Sequence, residues 1–110
     1  MHLNRYQALA ARTMNPALDK TESQLHALHG LAAEVGEIHG ILQKCYQGHQ
    51  ASEEHMKKEF GDCMWMIAEY CTASGWTLEE ICQMNIDKLK ARYPDGFTAE
   101  KSLHRMEGDI

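Results

Sequence analysis

Apolar side chains recur along this chain every three or four residues, the period of amphipathic helices, and no segment keeps the two-residue alternation of a strand. The pattern predicts four helices, at about residues 3–13, 21–46, 52–74 and 77–92. One more short helix is expected after Thr98. Four helices with short connections predict an all-α fold, a four-helix bundle that forms a single domain over residues 1–110.

The ends of the expected helices are marked by residues that cap or stop a helix. Thr21 or Ser23 is expected to cap the second helix, and Ser52 stands before the third. Gly75 suits a left-handed helix end, and Pro94 cannot continue the fourth helix.

Composition removes several classes of protein from consideration. A net charge of -5 argues against a general affinity for nucleic acid, which needs clustered Lys and Arg. No stretch approaches the ~20 apolar residues of a membrane helix, and the first residues lack the apolar run of a signal peptide. We therefore expect a cytoplasmic protein that does not associate with membranes. Its cysteines show no C-x-x-C spacing and are expected to be reduced core residues: Cys45, Cys63, Cys71 and Cys82.

Two pairs of acidic residues have a spacing that carries chemistry, Glu34-x-x-Glu37 and Glu59-x-x-Asp62. Residues three apart lie on one face of a helix, so each pair presents two carboxylates to the same side. Both pairs border an apolar stripe, and a short connection favours antiparallel packing of the two helices. The four acids can then converge, and converging carboxylates need a cation such as Mg²⁺ or Mn²⁺.

Other interpretations of the acidic pairs remain open at this point. Pairs with this spacing also occur by chance on exposed helix faces, where acidic residues are common. A ferritin-like di-iron site is disfavoured, because it uses Glu-x-x-His and no Glu of this chain has a His three residues later.

Three segments together resemble the MazG-like nucleoside triphosphate pyrophosphohydrolases. GLAAEVGEIHGILQK resembles their first metal-binding helix, EFGDCMWMIAEY resembles the second, and NIDKLKARYPDGF resembles the stretch that closes many small members. The opening YQALAART is similar to that of short, phage-type members. The resemblance implies an all-α homodimer or homotetramer that hydrolyses a nucleoside triphosphate to the monophosphate and pyrophosphate. It also implies that Mg²⁺ binds to Glu34, Glu37, Glu59 and Asp62.

Several further residues are candidates for contacts with the substrate. Lys44 lies on the same face of its helix as Glu37, and a position near a helix C-terminus explains it equally well. The family pattern implies triphosphate or sugar contacts for Asn85, Lys88 and Arg92.

Weaker candidates complete the expected site. Tyr93 could touch the ligand, Tyr6 and Gln7 could line a base pocket, and His26 could face the substrate, although a structural role is more common for a single His. Glu69 is expected to extend the row of acids or to pair with a basic group of a neighbouring subunit. Among the acids, Glu37 is the preferred general base and Glu34 the second candidate.

Two rival functions follow from the same residues. A phosphoribosyl-ATP pyrophosphohydrolase would share the chemistry, but the Tyr-Gln opening and the RYPDGF ending favour the MazG-like family. A non-catalytic helical interaction module would keep the fold alone, and the two complete acid pairs argue against it.

Overall fold

The computed structural model describes all 110 residues, and it contains only helices. They are α1 (Leu3–Ala11), α2 (Lys20–Cys45), α3 (Glu53–Ser74), α4 (Leu78–Arg92) and α5 (Ala99–Leu103). The predicted all-α class is confirmed, and α5 is the short helix expected after Thr98. None of these helices has the length and apolar character needed to cross a membrane.

The start of α2 differs from the prediction, whereas both ends of α3 agree with it. Asp19 caps α2, because its side chain accepts from Glu22 N at 2.8 Å while Glu22 Oε1 accepts from Asp19 N at 3.1 Å. The prediction of Thr21 or Ser23 was therefore wrong. Ser52 caps α3 as expected, and Gly75 ends it with a φ of 74°, a left-handed conformation that favours glycine.

The chain forms two compact units, residues 1–78 and residues 79–110. In the first unit α2 packs antiparallel to α3, and α1 packs against α3. The antiparallel register is visible where Gln24 Nε2 donates to Ser74 Oγ at 2.8 Å. Further along, the helices approach so closely that a Cβ on Gly30 would collide with the side chain of Met66. Small side chains line this contact, since Ala27, Ala68 and Cys71 are each 1% exposed.

Gln7 connects α1 to the joint between α3 and α4, and it is buried. Its Nε2 donates to Thr72 Oγ1 at 3.2 Å and to Trp76 O at 2.8 Å. Its Oε1 accepts from Leu78 N at 2.7 Å. A buried amide must find such partners, so Gln7 holds the end of the first unit together.

The structure contains no disulfide, and the cysteines are not all core residues. Cys63 and Cys71 are buried, Cys82 is intermediate and Cys45 is exposed. The prediction for Cys45 was wrong because the contact with α3 ends before the last turn of α2. Leu42, one turn earlier, is already 45% exposed.

The second unit contains α4 beyond its first residue, α5 and the C-terminal segment 104–110. Thr98 caps α5 by accepting from Lys101 N at 3.2 Å. Tyr93 packs on Phe97 with ring centroids 5.3 Å apart. An ion pair between Arg92 and Asp109 attaches the C-terminal segment to the end of α4.

Candidate functional site

The two acidic pairs meet where α2 and α3 pack against each other. One carboxylate oxygen from each of Glu34, Glu59 and Asp62 can be chosen so that all three lie within 4.8 Å of one another. This convergence follows from the antiparallel register, which places the pair on α2 opposite the pair on α3. We refer to Glu34, Glu37, Glu59 and Asp62 as the acid cluster.

Burial increases across the acid cluster from its rim to its floor. Glu37 and Asp62 are exposed, Glu34 is intermediate, and Glu59 is only 8% exposed. Oε2 of Glu34 and Oε2 of Glu59 are buried without a donor partner. Buried carboxylate oxygens that lack a donor are costly, so these two atoms indicate a missing positive partner.

The pKa values of the acid cluster also indicate negative charge without a positive partner. Burial, the adjacent carboxyl of Glu59 and the negative charge of Glu37 raise the pKa of Glu34 to about 7. The pKa of Glu37 is also raised, first by its hydrogen bond with Glu59 and then by the charge of Glu59. Burial alone would raise the pKa of Glu59, but hydrogen bonds from Glu34, Glu37 and His55 lower it. The cluster therefore retains a proton near neutral pH unless a cation compensates its charge.

The donor set fits a hard divalent cation. Carboxylate oxygens at this mutual distance are the ligands that Mg²⁺, Mn²⁺ and Ca²⁺ prefer, and no thiol or thioether shares the group. A cation would satisfy the two buried oxygens and take the place of the retained proton.

Sequence reasoning missed His55, which contacts the acid cluster directly. Its Nε2 donates to Glu59 Oε1 at 3.1 Å. Residues four apart on a helix are neighbours, so the spacing from His55 to Glu59 could have revealed this contact. Tyr6 also lies near the cluster, since burial and the charge of Asp62 raise the pKa of its hydroxyl.

Two other predicted residues, Gln7 and Lys44, lie away from the acid cluster. Gln7 binds Thr72, ten residues beyond Asp62 on α3, and its amide is fully engaged by unit 1 itself. Lys44 is exposed in the last turn of α2. A nucleotide contact through the Gln7 amide would require it to give up these bonds.

His26 forms a hydrogen bond within the chain. Its Nδ1 lies 2.7 Å from Oε1 of Glu69, which is 1% exposed, and its own side chain is 48% exposed. Glu69 therefore pairs with a residue of its own chain through Oε1. The exposed part of the His26 ring remains available to a ligand.

The remaining predicted residues all belong to the second unit: Asn85, Lys88, Arg92 and Tyr93. Asn85 and Lys88 are exposed along α4. Arg92 is held by Asp109 and stacks at 5.9 Å from the centroid of the Tyr93 ring.

Similarity to known proteins identifies the family of this chain. The model of the MazG nucleotide pyrophosphohydrolase domain matches residues 22–97, which include the whole acid cluster, Asn85, Lys88 and Arg92. The "Gene 37 protein" of Mycobacterium phage L5 is 29% identical over 105 residues, covering 87% of this chain and 92% of that protein. No solved structure is significantly similar to the chain. The family match spans well over half of the sequence, and the chain belongs to the MazG nucleotide pyrophosphohydrolase family.

Proposed function

We propose that the protein hydrolyses nucleoside or deoxynucleoside triphosphates to the monophosphate and pyrophosphate, with Mg²⁺, or alternatively Mn²⁺, held by the acid cluster. The observation that carries this proposal is the convergence of Glu34, Glu59 and Asp62 oxygens within 4.8 Å, together with two buried oxygens that lack a donor. Membership of the family supplies the reaction class.

The four acids would hold the cation from two sides. Glu59 and Glu34 contribute the buried oxygens, and Asp62 and Glu37 contribute the exposed rim that faces the substrate. When bound there, Mg²⁺ would screen phosphate charge and assist the attack of water on the α-phosphorus. His55 would orient Glu59, because its hydrogen bond engages Oε1 and leaves Oε2 free to bind a cation.

A general base is needed to accept the proton of the attacking water. Glu37 is our first candidate, because it is exposed at the rim and its raised pKa favours proton uptake. Glu34 is the second, with a pKa of about 7. Lys44, Asn85, Lys88, Arg92, Tyr93, Gln7 and His26 are proposed as substrate contacts, and Lys88 and Arg92 would neutralise phosphate charge.

The proposed enzyme is an oligomer of identical subunits. The acid cluster is open on its exposed side, so we propose a homodimer or homotetramer in which subunits complete each other's sites. Exposed apolar side chains on α3, such as Phe60 at 58% exposure, are consistent with burial against a partner. The family match extends from α2 through α4, which supports a single functional domain.

Two measurements on Glu37→Gln and Asp62→Asn test the proposed function. Pyrophosphate release from a panel of canonical and modified (d)NTPs, with phosphoribosyl-ATP included, should fall by about 100-fold or more. Binding of Mn²⁺, followed by electron paramagnetic resonance, should weaken in Asp62→Asn. Glu54→Gln is the matched control, because Glu54 lies on α3 and pairs only with exposed Lys58 at 3.4 Å. Near-wild-type rates in both cluster variants, or no turnover of any substrate, would refute the proposal.

A further inference from the structure

A cavity of about 540 Å³ lies within the second unit, between α4 and the C-terminal segment 104–110. Its lining contains four permanently cationic side chains, Lys88, Arg92, Lys101 and Arg105. Lys101 and Arg105 lie beyond residue 97, where the family match ends. The cavity is therefore lined by basic residues inside the family match and by basic residues beyond it.

The lining also contains two acidic side chains, Glu107 and Asp109, and the carboxylate of Asp109 is bound by Arg92. Arg92 Nε donates to Asp109 Oδ2 at 2.8 Å, and Arg92 Nη2 donates to Asp109 Oδ1 at 2.7 Å. The pair is largely buried, with side-chain exposures of 10% for Arg92 and 14% for Asp109. The guanidinium therefore presents its two parallel donors to an oxyanion, a geometry that serves carboxylate and phosphate equally.

The four basic side chains of the lining outnumber its two acidic side chains. The hydrogen bonds from Arg92 are the main cause of the lowered pKa of Asp109; burial opposes them, and the charges of Arg92, Arg105 and Lys88 lower it further. Three cations thus act on a group with one negative charge. An oligophosphate offers more negative charge and more acceptor oxygens to the same donors.

We propose that Asp109 is an internal competitor for the phosphate contacts already proposed for Lys88 and Arg92, and that Arg105 completes this binding site for a pyrophosphate or triphosphate group. The nature of the anion rests on the proposed function. Binding of the polyphosphate then displaces Asp109 from Arg92 and releases residues 106–110, while Arg105 stays at the site. The apparent affinity is lowered by the fraction of molecules in which Asp109 is bound.

Calorimetric titration with inorganic pyrophosphate, in metal-free buffer containing EDTA at pH 8, tests this site. Asp109→Asn should bind pyrophosphate about tenfold more tightly than wild type, the factor expected if Asp109 occupies the site in about nine molecules of ten. Glu107→Gln is the matched control, since it removes the same charge from the same segment but makes no ion pair with Arg92; it should change the affinity by less than about twofold. Equal affinities in wild type and Asp109→Asn, or equal gains in both variants, overturn the proposal.

Two further readouts separate binding at this site from a general effect of charge. Arg105→Gln, which leaves the Arg92 ion pair in place, should weaken pyrophosphate binding at least threefold. Hydrogen exchange of residues 106–110 should accelerate in wild type when pyrophosphate is added, because these residues are released together with Asp109. No binding to any variant, or no change in exchange, would contradict the proposal. The titration involves no hydrolysis, so a failure of the proposed enzymatic activity would be seen separately, in the absence of pyrophosphate release from a triphosphate such as dATP.

Discussion

Replacement of Gln7 by Ala distinguishes a structural role for this residue from the predicted contact with the nucleotide. The substitution removes two bonds donated by Nε2 and one accepted by Oε1. It leaves the backbone N–H of Leu78, a residue that is 1% exposed, without its partner. The carbonyl of Trp76 also loses a donor, but Trp76 is 46% exposed, so water can replace that bond.

The expected loss of stability follows from these contacts. A buried donor left without a partner costs about 1–3 kcal/mol, and each net hydrogen bond contributes about 1 kcal/mol. We expect Gln7→Ala to lower the free energy of unfolding by about 3 kcal/mol. For a chain of this size about 1 kcal/mol corresponds to roughly 4–8 °C, so the Tm should fall by about 12 °C or more.

Urea unfolding and calorimetry at one fixed protein concentration measure this loss, and the KM for the nucleotide measures the alternative role. Gln24→Ala is the control, because it breaks the single bond to Ser74 and should cost about 1 kcal/mol. A stability loss below about 1 kcal/mol in Gln7→Ala, accompanied by a tenfold rise in KM, would refute the structural role. A large loss of stability with an unchanged KM would instead show that Gln7 makes no contact with the substrate.

Three more outcomes follow from the structure. Glu34 has a pKa of about 7 in the folded protein against an ordinary 4.5, so the folded state binds its proton more tightly. In EDTA the free energy of unfolding should therefore fall as pH rises from about 4.5 to 7, and Glu34→Gln should remove this part of the profile; a flat wild-type profile would contradict it. Mg²⁺ binding should release more protons at pH 6 than at pH 8. Calorimetry in buffers of different ionisation enthalpy measures this release, and equal release at the two pH values would show that the acid cluster retains no proton. Gly36→Ala should stabilise α2 by about 1 kcal/mol, because the added methyl group meets nothing within 4 Å. Gly30→Ala should stabilise α2 less, because the side chain of Met66 must turn away. Thermal unfolding compares the two variants, and equal gains in stability would mean that the helices are not in close contact at Gly30.

Features that depend on residues close in the chain were predictable from the sequence. The helical period identified α2, α3 and α4, and Ser52 and Gly75 marked both ends of α3, because capping is a local interaction. The same period placed Glu34 and Glu37 on one face, and Glu59 and Asp62 on another. The Asp19-x-x-Glu22 cap and the His55–Glu59 contact were equally local and could have been found from spacing alone.

Tertiary packing decided which of the predicted groups meet and which of their atoms remain free. The antiparallel register of α2 and α3 brings Glu34 to Glu59 and leaves one buried oxygen on each without a donor. The contacts of Gln7 with Leu78 and of Arg92 with Asp109 join residues far apart in the chain. Spacing along a helix fixes the face on which a side chain lies but not its partner, because the partner depends on how the helices dock and how far their contact extends.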